Sequence, residues 1–242
     1  VINIKKICDL DALTYNNTDG LTIGSLTTVR AVETSPVVLE KYAGLAQAAR
    51  HLGSIQVRNR ATVAGNICRA SPSADTLPPL IADEATLKLY GPGGERVLPM
   101  EVFFTGPRQT QITKDEILTE IVIPPPPPHT GKAYIKHGRR KAMELATVGV
   151  GVSLTLDGDF CREVRIVLGA VAPTPIRAWE AEATLRGTVI DEALIEAAAV
   201  KAMEVSRPIS DVRSSAVHRR KMVHVQTRRV IALALSRARS DS

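Results

Sequence analysis

Two groups of strands and helices, one on each side of a proline run, predict a chain of mixed helix and antiparallel sheet built in two parts. The run is Pro124–Pro128, five prolines in succession, which can join neither a helix nor a central strand and reads as an extended, semi-rigid connector. A domain boundary is placed there, with a first domain over 1–124, a linker over 125–130 and a second domain over 131–242.

In the first part, VINI at the start reads as a strand entered in mid-fold, and LTIGSLTTV (21–29) as a strand leaving a turn at Asn16–Gly20. The Ala- and Leu-rich stretch 37–52 reads as one helix stopped at Gly53. A polar loop over 56–66 comes next. ATLKLYG (85–91), the turn GPGG (91–94) and RVLPM (96–100) form a hairpin, and EILTEIVIP (116–124) a last strand with alternating apolar residues. In the second part, GKAYIKHGRR (131–140), VGVGVSLTLDG (148–158) and EVRIVLGAVA (163–172) read as three strands of one antiparallel sheet. Two helices end the chain. Asp191 is the N-cap of the first. The second runs from about Ser214 to Ser236, with Ala216, Val223 and Val230 on one buried stripe.

Composition removes several classes of function. A hydrophobic fraction of 44% leaves ample core, yet aromatics are only 3%. No segment approaches the roughly 18 apolar residues that a membrane span needs. The first residues lack the pattern of a secretory signal and carry no initiator Met, so an upstream piece is expected. Cys8, Cys68 and Cys161 contain no C-x-x-C pair and cannot alone build an iron–sulfur cluster or a zinc ribbon. They read as reduced thiols of a cytoplasmic protein. His218 and His224 are six apart, off the i, i+4 spacing of a shared metal, and no metal site is expected. Of the net charge of +6, the excess lies in residues 201–242, where ten Lys and Arg face three acidic residues. With so few aromatics to stack on bases, that stretch reads as a solvated helix face or a docking face for an acidic partner, not as a nucleic-acid site. Arg219, Arg220 and Lys221 are its candidate docking cations.

The chemistry is concentrated in QVRNRATVAGN (56–66) and the residues just after it. The dinucleotide fingerprint G-x-G-x-x-G is absent: GPGGER sits in a hairpin turn and GVGVSL inside a strand. Gly65 permits close backbone approach, Thr62 can donate through its hydroxyl and Asn66 through its amide, which suits a diphosphate. Asp75, an acceptor when ionised, suits sugar hydroxyls. The same residues also fit a tight loop between helix and strand, with Asp75 as the cap of the next segment.

The order of motifs narrows this choice. QVRNRATVAGN, ASPSADTLPPLIA, FFTGPRQT and DEILTEIVIP, together with LGAVAPTPIRAWEAEATLRG (168–187) and SDVRSSAVHRRKMV (210–223), resemble the flavoprotein subunit of the molybdenum hydroxylases. That family includes the medium subunit of carbon monoxide dehydrogenase and the flavin domain of xanthine dehydrogenase. The resemblance covers essentially the whole chain. It implies an α+β fold: part of a two-lobed FAD-binding domain, then a small C-terminal domain of antiparallel sheet and helices. It places the diphosphate loop on Thr62, Ala64, Gly65 and Asn66, a cofactor-contacting carboxylate on Asp75, a leucine beside the flavin on Leu118, and a lysine at Lys136. Ala64 stands where the family usually has Gly, and the family's other Gly-rich flavin loop is expected upstream of VINI.

The function implied is that of an FAD-binding electron-transfer subunit of an oxidoreductase, with no catalytic acid–base pair of its own. A partner small subunit would carry two-iron, two-sulfur clusters, and a large subunit the molybdenum pterin that meets the substrate. The alternative is a non-redox binding or scaffold module that kept the fold and lost stable flavin binding.

Overall fold

The computed structural model describes residues 3–140 and 142–240. It opens with a hairpin of β1 (Leu13–Asn16) and β2 (Gly20–Gly24), turned by Asn16, whose Oδ1 accepts from the N–H groups of Thr18 (2.9 Å) and Asp19 (2.7 Å). Six short helices come after it: α1 (Val29–Thr34), α2 (Pro36–Lys41), α3 (Ala43–His51), α4 (Ile55–Arg58), α5 (Val63–Cys68) and α6 (Leu77–Ala82). Then come β3 (Thr86–Gly91), β4 (Gly94–Pro99), the single turn α7 (Met100–Phe103), the small hairpin β5 (Phe104–Gly106) and β6 (Gln109–Thr110), and β7 (Ile117–Ile123). The first sheet has the order β1-β2-β7-β3-β4, antiparallel throughout. Its inner face carries Leu21, Ile23, Leu87, Leu89, Ile121 and Ile123, all fully buried. Lys88 and Glu120 pair on the outer face at 2.8 Å.

Beyond the prolines, β8 (Thr130–His137), β9 (Val148–Asp157), β10 (Phe160–Gly169) and β11 (Ile176–Arg177) make a second antiparallel sheet, in the order β11-β10-β9-β8. Three helices complete the chain: α8 (Trp179–Leu185), α9 (Glu192–Val205) and α10 (Ala216–Ser240). Nearly every residue of β9 is buried, because this sheet is covered twice. Helix α10 packs on β8 and β9, while α6 of the first half packs on β9 and β10. One glycine of VGVGV, Gly151, serves that second contact, whereas Gly149 makes room for the Tyr134 side chain of β8. A Cβ on Gly151 would lie 2.7 Å from the Pro78 carbonyl carbon, so only glycine lets α6 sit this close. The two halves also share burial, for Val167 of β10 belongs to the first core.

Several expected elements change their bounds. The strand expected at VINI is not present at Asn3 and Ile4, and Val1 and Ile2 lie outside the described residues. The strand expected over 21–29 stops at Gly24, since Thr28 turns into the N-cap of α1 and accepts from Ala31 N–H at 3.1 Å. The helix expected over 37–52 is broken at Tyr42 (φ −132°, ψ 47°). Tyr42 is fully buried there and donates its hydroxyl to the Pro124 carbonyl at 2.9 Å. The loop expected over 56–66 is mostly helical, with its ends in α4 and α5. Asp191 caps α9 as expected, accepting from Leu194 N–H at 2.8 Å.

Arg219 differs from its expected role. It is buried, and its guanidinium donates to the carbonyls of Thr147 (3.1 Å) and Ala170 (3.0 Å) and to Asp211 Oδ1 (2.8 Å). Of the three candidate docking cations only Arg220 and Lys221 face solvent.

The junction between the halves carries two buried ion pairs. Helix α6 is buried at every position, and an aspartate stands beyond each of its ends. Asp75 meets Lys136 of β8 at 2.8 Å, and Asp83 meets Lys132 of β8 at 3.0 Å. The six residues of α6 with the turn at each end carry the chain from Asp75 to Asp83, and four strand residues, about 13 Å, carry it from Lys132 to Lys136, so that both pairs close at once. Lys132 and Lys136 share one strand face because they are an even number of residues apart. Burial pushes the Asp83 carboxyl up and the Lys132 ammonium down, each opposed by the other's charge. The Lys132 ammonium also lies 4.2 Å over the Tyr42 ring.

Candidate cofactor site

The expected site residues begin at the start of α5. Thr62 is its N-cap, and its Oγ1 accepts from Gly65 N–H at 2.9 Å, which leaves the hydroxyl proton to donate outward. Gly65 is exposed, and a Cβ there would meet only Thr62 Oγ1, at 3.0 Å. The chain is therefore open to close approach at this point. Ala64 points the other way, into the first core, so its methyl group is spent on packing. Asn66 accepts from the hydroxyl of buried Thr76 at 2.7 Å through Oδ1, an arrangement that turns its NH2 group outward as a donor. Thr62 further lines a cleft of about 450 Å³ with Lys5, Lys6, Thr28, Asn59 and Arg60, three of them cationic. None of those five was expected. Asn59 and Arg60 lie inside the 56–66 motif beside Thr62, whereas Lys5, Lys6 and Thr28 lie outside it and reach the cleft only through chain folding.

Asp75 and Lys136 are brought together as neighbours. Asp75 is not a helix cap: α6 has no side-chain cap bond. Its Oδ1 accepts from Tyr134 Oη at 2.8 Å and its Oδ2 from Lys136 Nζ at 2.8 Å. Burial raises the Asp75 carboxyl, and the charge and hydrogen bonds of Lys136 oppose that rise. Burial and the Asp75 charge push the Tyr134 phenol well up. Lys136 donates its other two protons to the carbonyls of Glu144 (2.7 Å) and His51 (3.1 Å), so all three are engaged. The His51 imidazole is held low by burial first and by the Lys136 charge next. His51 and Lys136 line a cavity of about 410 Å³ with Arg139, Arg140 and Glu144. Tyr134 was missed at the sequence level, although strand alternation places it on the same face as Lys132 and Lys136.

Leu118 is buried on β7, opposite Leu89, within the first core and on the strand against which α5 packs. A hydrogen-bonded path runs from Thr62 and Gly65 through Asn66 and Thr76, and chain connectivity carries it on to Asp75 and Lys136. A larger cleft, about 790 Å³, lies instead along the proline connector beside Tyr15, Lys41 and Arg237 and holds none of these residues.

Comparison with known proteins identifies the family of the chain. Residues 1–126 match the family described as the FAD binding domain in molybdopterin dehydrogenase, and residues 133–234 match the carbon monoxide dehydrogenase flavoprotein C-terminal domain. The chain belongs to this flavoprotein family. The xanthine dehydrogenase FAD-binding subunit of Escherichia coli O157:H7 is 32% identical over 239 residues, covering 98% of this chain and 82% of the relative. The carbon monoxide dehydrogenase medium chain of Hydrogenophaga pseudoflava is 32% identical over 237 residues, with the same two coverages of 98% and 82%. The solved carbon monoxide dehydrogenase from Hydrogenophaga pseudoflava superposes with a TM-score of 0.90 at 33% identity, over 94% of this chain and 79% of that one.

The site is thus part of an FAD-binding oxidoreductase subunit of the molybdenum hydroxylase type. The residues present suit that cofactor: an open glycine, a hydroxyl and an amide able to donate, and a cleft whose three cations outnumber its one carboxylate, Asp11. Among the described residues, no three His, Cys, Asp or Glu side chains group to hold a metal, and no helix is long and apolar enough to cross a membrane.

Proposed function

We propose that this chain holds FAD across the start of α5 and the Asp75–Lys136 junction and works as the electron-transfer subunit of its complex. Electrons arrive from iron–sulfur clusters of a partner small subunit, a large molybdenum-pterin subunit having oxidised the substrate, and leave to an external acceptor. The observation that carries this reading is the linked path from the Thr62 cap to the Asp75–Lys136 pair, in a chain of this family. The bound cofactor supplies the redox chemistry.

The protein's part is to bind and orient. Thr62 and Asn66 donate to the diphosphate, Gly65 lets it approach, and Lys5, Lys6 and Arg60 offset its charge. Leu118 presents an apolar surface to the flavin ring. Asp75 holds Tyr134 and Lys136 in place and keeps lone pairs for sugar hydroxyls. For Lys136 to reach the cofactor with its ammonium, it must exchange one of its three present acceptors, and Glu144 O is offered by a loop. Partner docking falls to exposed Arg220 and Lys221 and to nearby Val212, which is 93% exposed.

The direct test is reconstitution. The chain is mixed with FAD and desalted, and its visible spectrum is recorded. Retained flavin near one per chain is expected. A protein that stays colourless even when joined to the expected upstream flavin loop would refute the cofactor role and leave a scaffold module that lost the flavin.

A further inference from the structure

Ser25 stands just after β2 and is 6% exposed, yet its hydroxyl has no hydrogen-bond partner among the described residues. A buried hydroxyl in that condition is costly, and native proteins rarely keep one without a use. The neighbouring hydroxyls are engaged elsewhere. Thr27 donates to Ala12 O at 2.8 Å, Thr28 caps α1, and Thr119 donates to Lys88 O at 3.1 Å.

The position of Ser25 says what the hydroxyl serves. Leu21 and Ile23 point into the core from β2, and Ser25 continues that alternation past Gly24. Its N–H donates to Thr119 O at 2.9 Å, which sets it beside Leu118 at the end of β7. Leu118 also faces inward, on the strand that α5 packs against. One residue further on, Leu26 lines the cleft that holds Thr28 and Thr62. The orphaned hydroxyl therefore stands between the candidate flavin leucine and the candidate diphosphate cleft.

We infer that the Ser25 hydroxyl donates a hydrogen bond to an acceptor atom of bound FAD, making Ser25 a cofactor-binding residue outside every motif of the chain. The inference rests on the proposed FAD role. It predicts an unusual pair of effects, because the hydroxyl costs the free protein stability and helps only the loaded one.

The test is Ser25→Ala in the full chain, read by equilibrium FAD binding and by melting of the free protein. The FAD dissociation constant should rise about tenfold, equal to about 1.4 kcal/mol. The free protein should melt no lower than the parent, and up to about 2–4 °C higher. Ser25→Cys keeps a weak donor of similar size and should bind FAD with intermediate affinity. Unchanged FAD affinity in Ser25→Ala overturns the inference. So does a free variant that melts lower or fails to fold, since the hydroxyl would then serve the fold itself. Failure of the parent chain to bind FAD even when joined to that upstream loop is seen before either variant is made, and it sinks the cofactor reading instead.

Discussion

At the scale of single residues, Thr62 caps α5 and, in the proposed binding mode, also donates to FAD, so one substitution removes both. Its oxygen accepts from Gly65 N–H, and in the proposed binding mode its proton goes to the cofactor. Thr62→Ala should cost about 1 kcal/mol of stability through the lost cap and should weaken FAD binding as well. Thr62→Ser should restore both, as urea titration and FAD titration of the three proteins would show. Arg219 and Lys221 make a second contrast, two residues apart in α10. Arg219→Ala leaves two carbonyls and Asp211 without their donor and should cost about 2–3 kcal/mol, whereas Lys221→Ala should stay within about 0.5 kcal/mol. A third residue, Glu116, is held down at about 2 by its hydrogen bonds to Arg96 first and then to Thr113 N–H. A depressed carboxylate stabilises the fold above its unfolded pKa and loses that contribution as pH falls through the folded value. The stability gap between the parent and Glu116→Gln should therefore be full at pH 7 and close between about pH 4.5 and 2. A gap that is independent of pH would contradict this assignment.

At the scale of elements, helix α6 and strand β8 form one mechanical unit. Breaking either ion pair singly strands a buried charge, so Asp83→Ala or Lys132→Ala should cost about 3–5 kcal/mol. Replacing both partners by apolar residues, Asp83→Leu with Lys132→Met, should cost far less than the two single changes added together. Denaturant titrations around this double-mutant cycle give the coupling directly. Little of this unit could be read from the sequence. Strands β7, β8, β9 and β10 and helix α9 were legible because alternation or a capping aspartate marks them locally. Helix α8 was not, since Ala178 at its N-cap makes no side-chain cap bond and gives no start signal. The break at Tyr42 was also hidden, because a tertiary bond to Pro124 overrides an Ala- and Leu-rich helix pattern. In the site, Thr62, Gly65 and Asn66 were legible as a group on one short segment. Tyr134 and the cleft lysines were not, because distant segments bring them there.

At the scale of the whole molecule, the proline connector joins two halves that bury surface on each other. Helix α6 of the first half covers β9 and β10 of the second, and Val167 reaches back into the first core. Heating should therefore give one cooperative transition, not two, with coincident far-ultraviolet and tyrosine signals. A second resolved transition would show that the halves melt separately. In the proposed binding mode FAD lies near that seam, so saturating FAD should raise the single transition, by about 2.7 kcal/mol when free ligand is 100-fold above its dissociation constant.

The matched spacing of Asp75 and Asp83 against Lys136 and Lys132 also bears on how this chain can be recombined. A cut at the prolines looks convenient for making hybrids with relatives, since it falls between the two recognised family regions. Such a hybrid would inherit its two carboxylates from one parent and its two ammonium groups from the other. It should assemble only where the second parent carries basic residues four apart on the first strand after the crossover, with glycine at the position of Gly151. Compatibility at two side chains and one missing methyl group, more than overall identity, then decides which relatives can donate the second half.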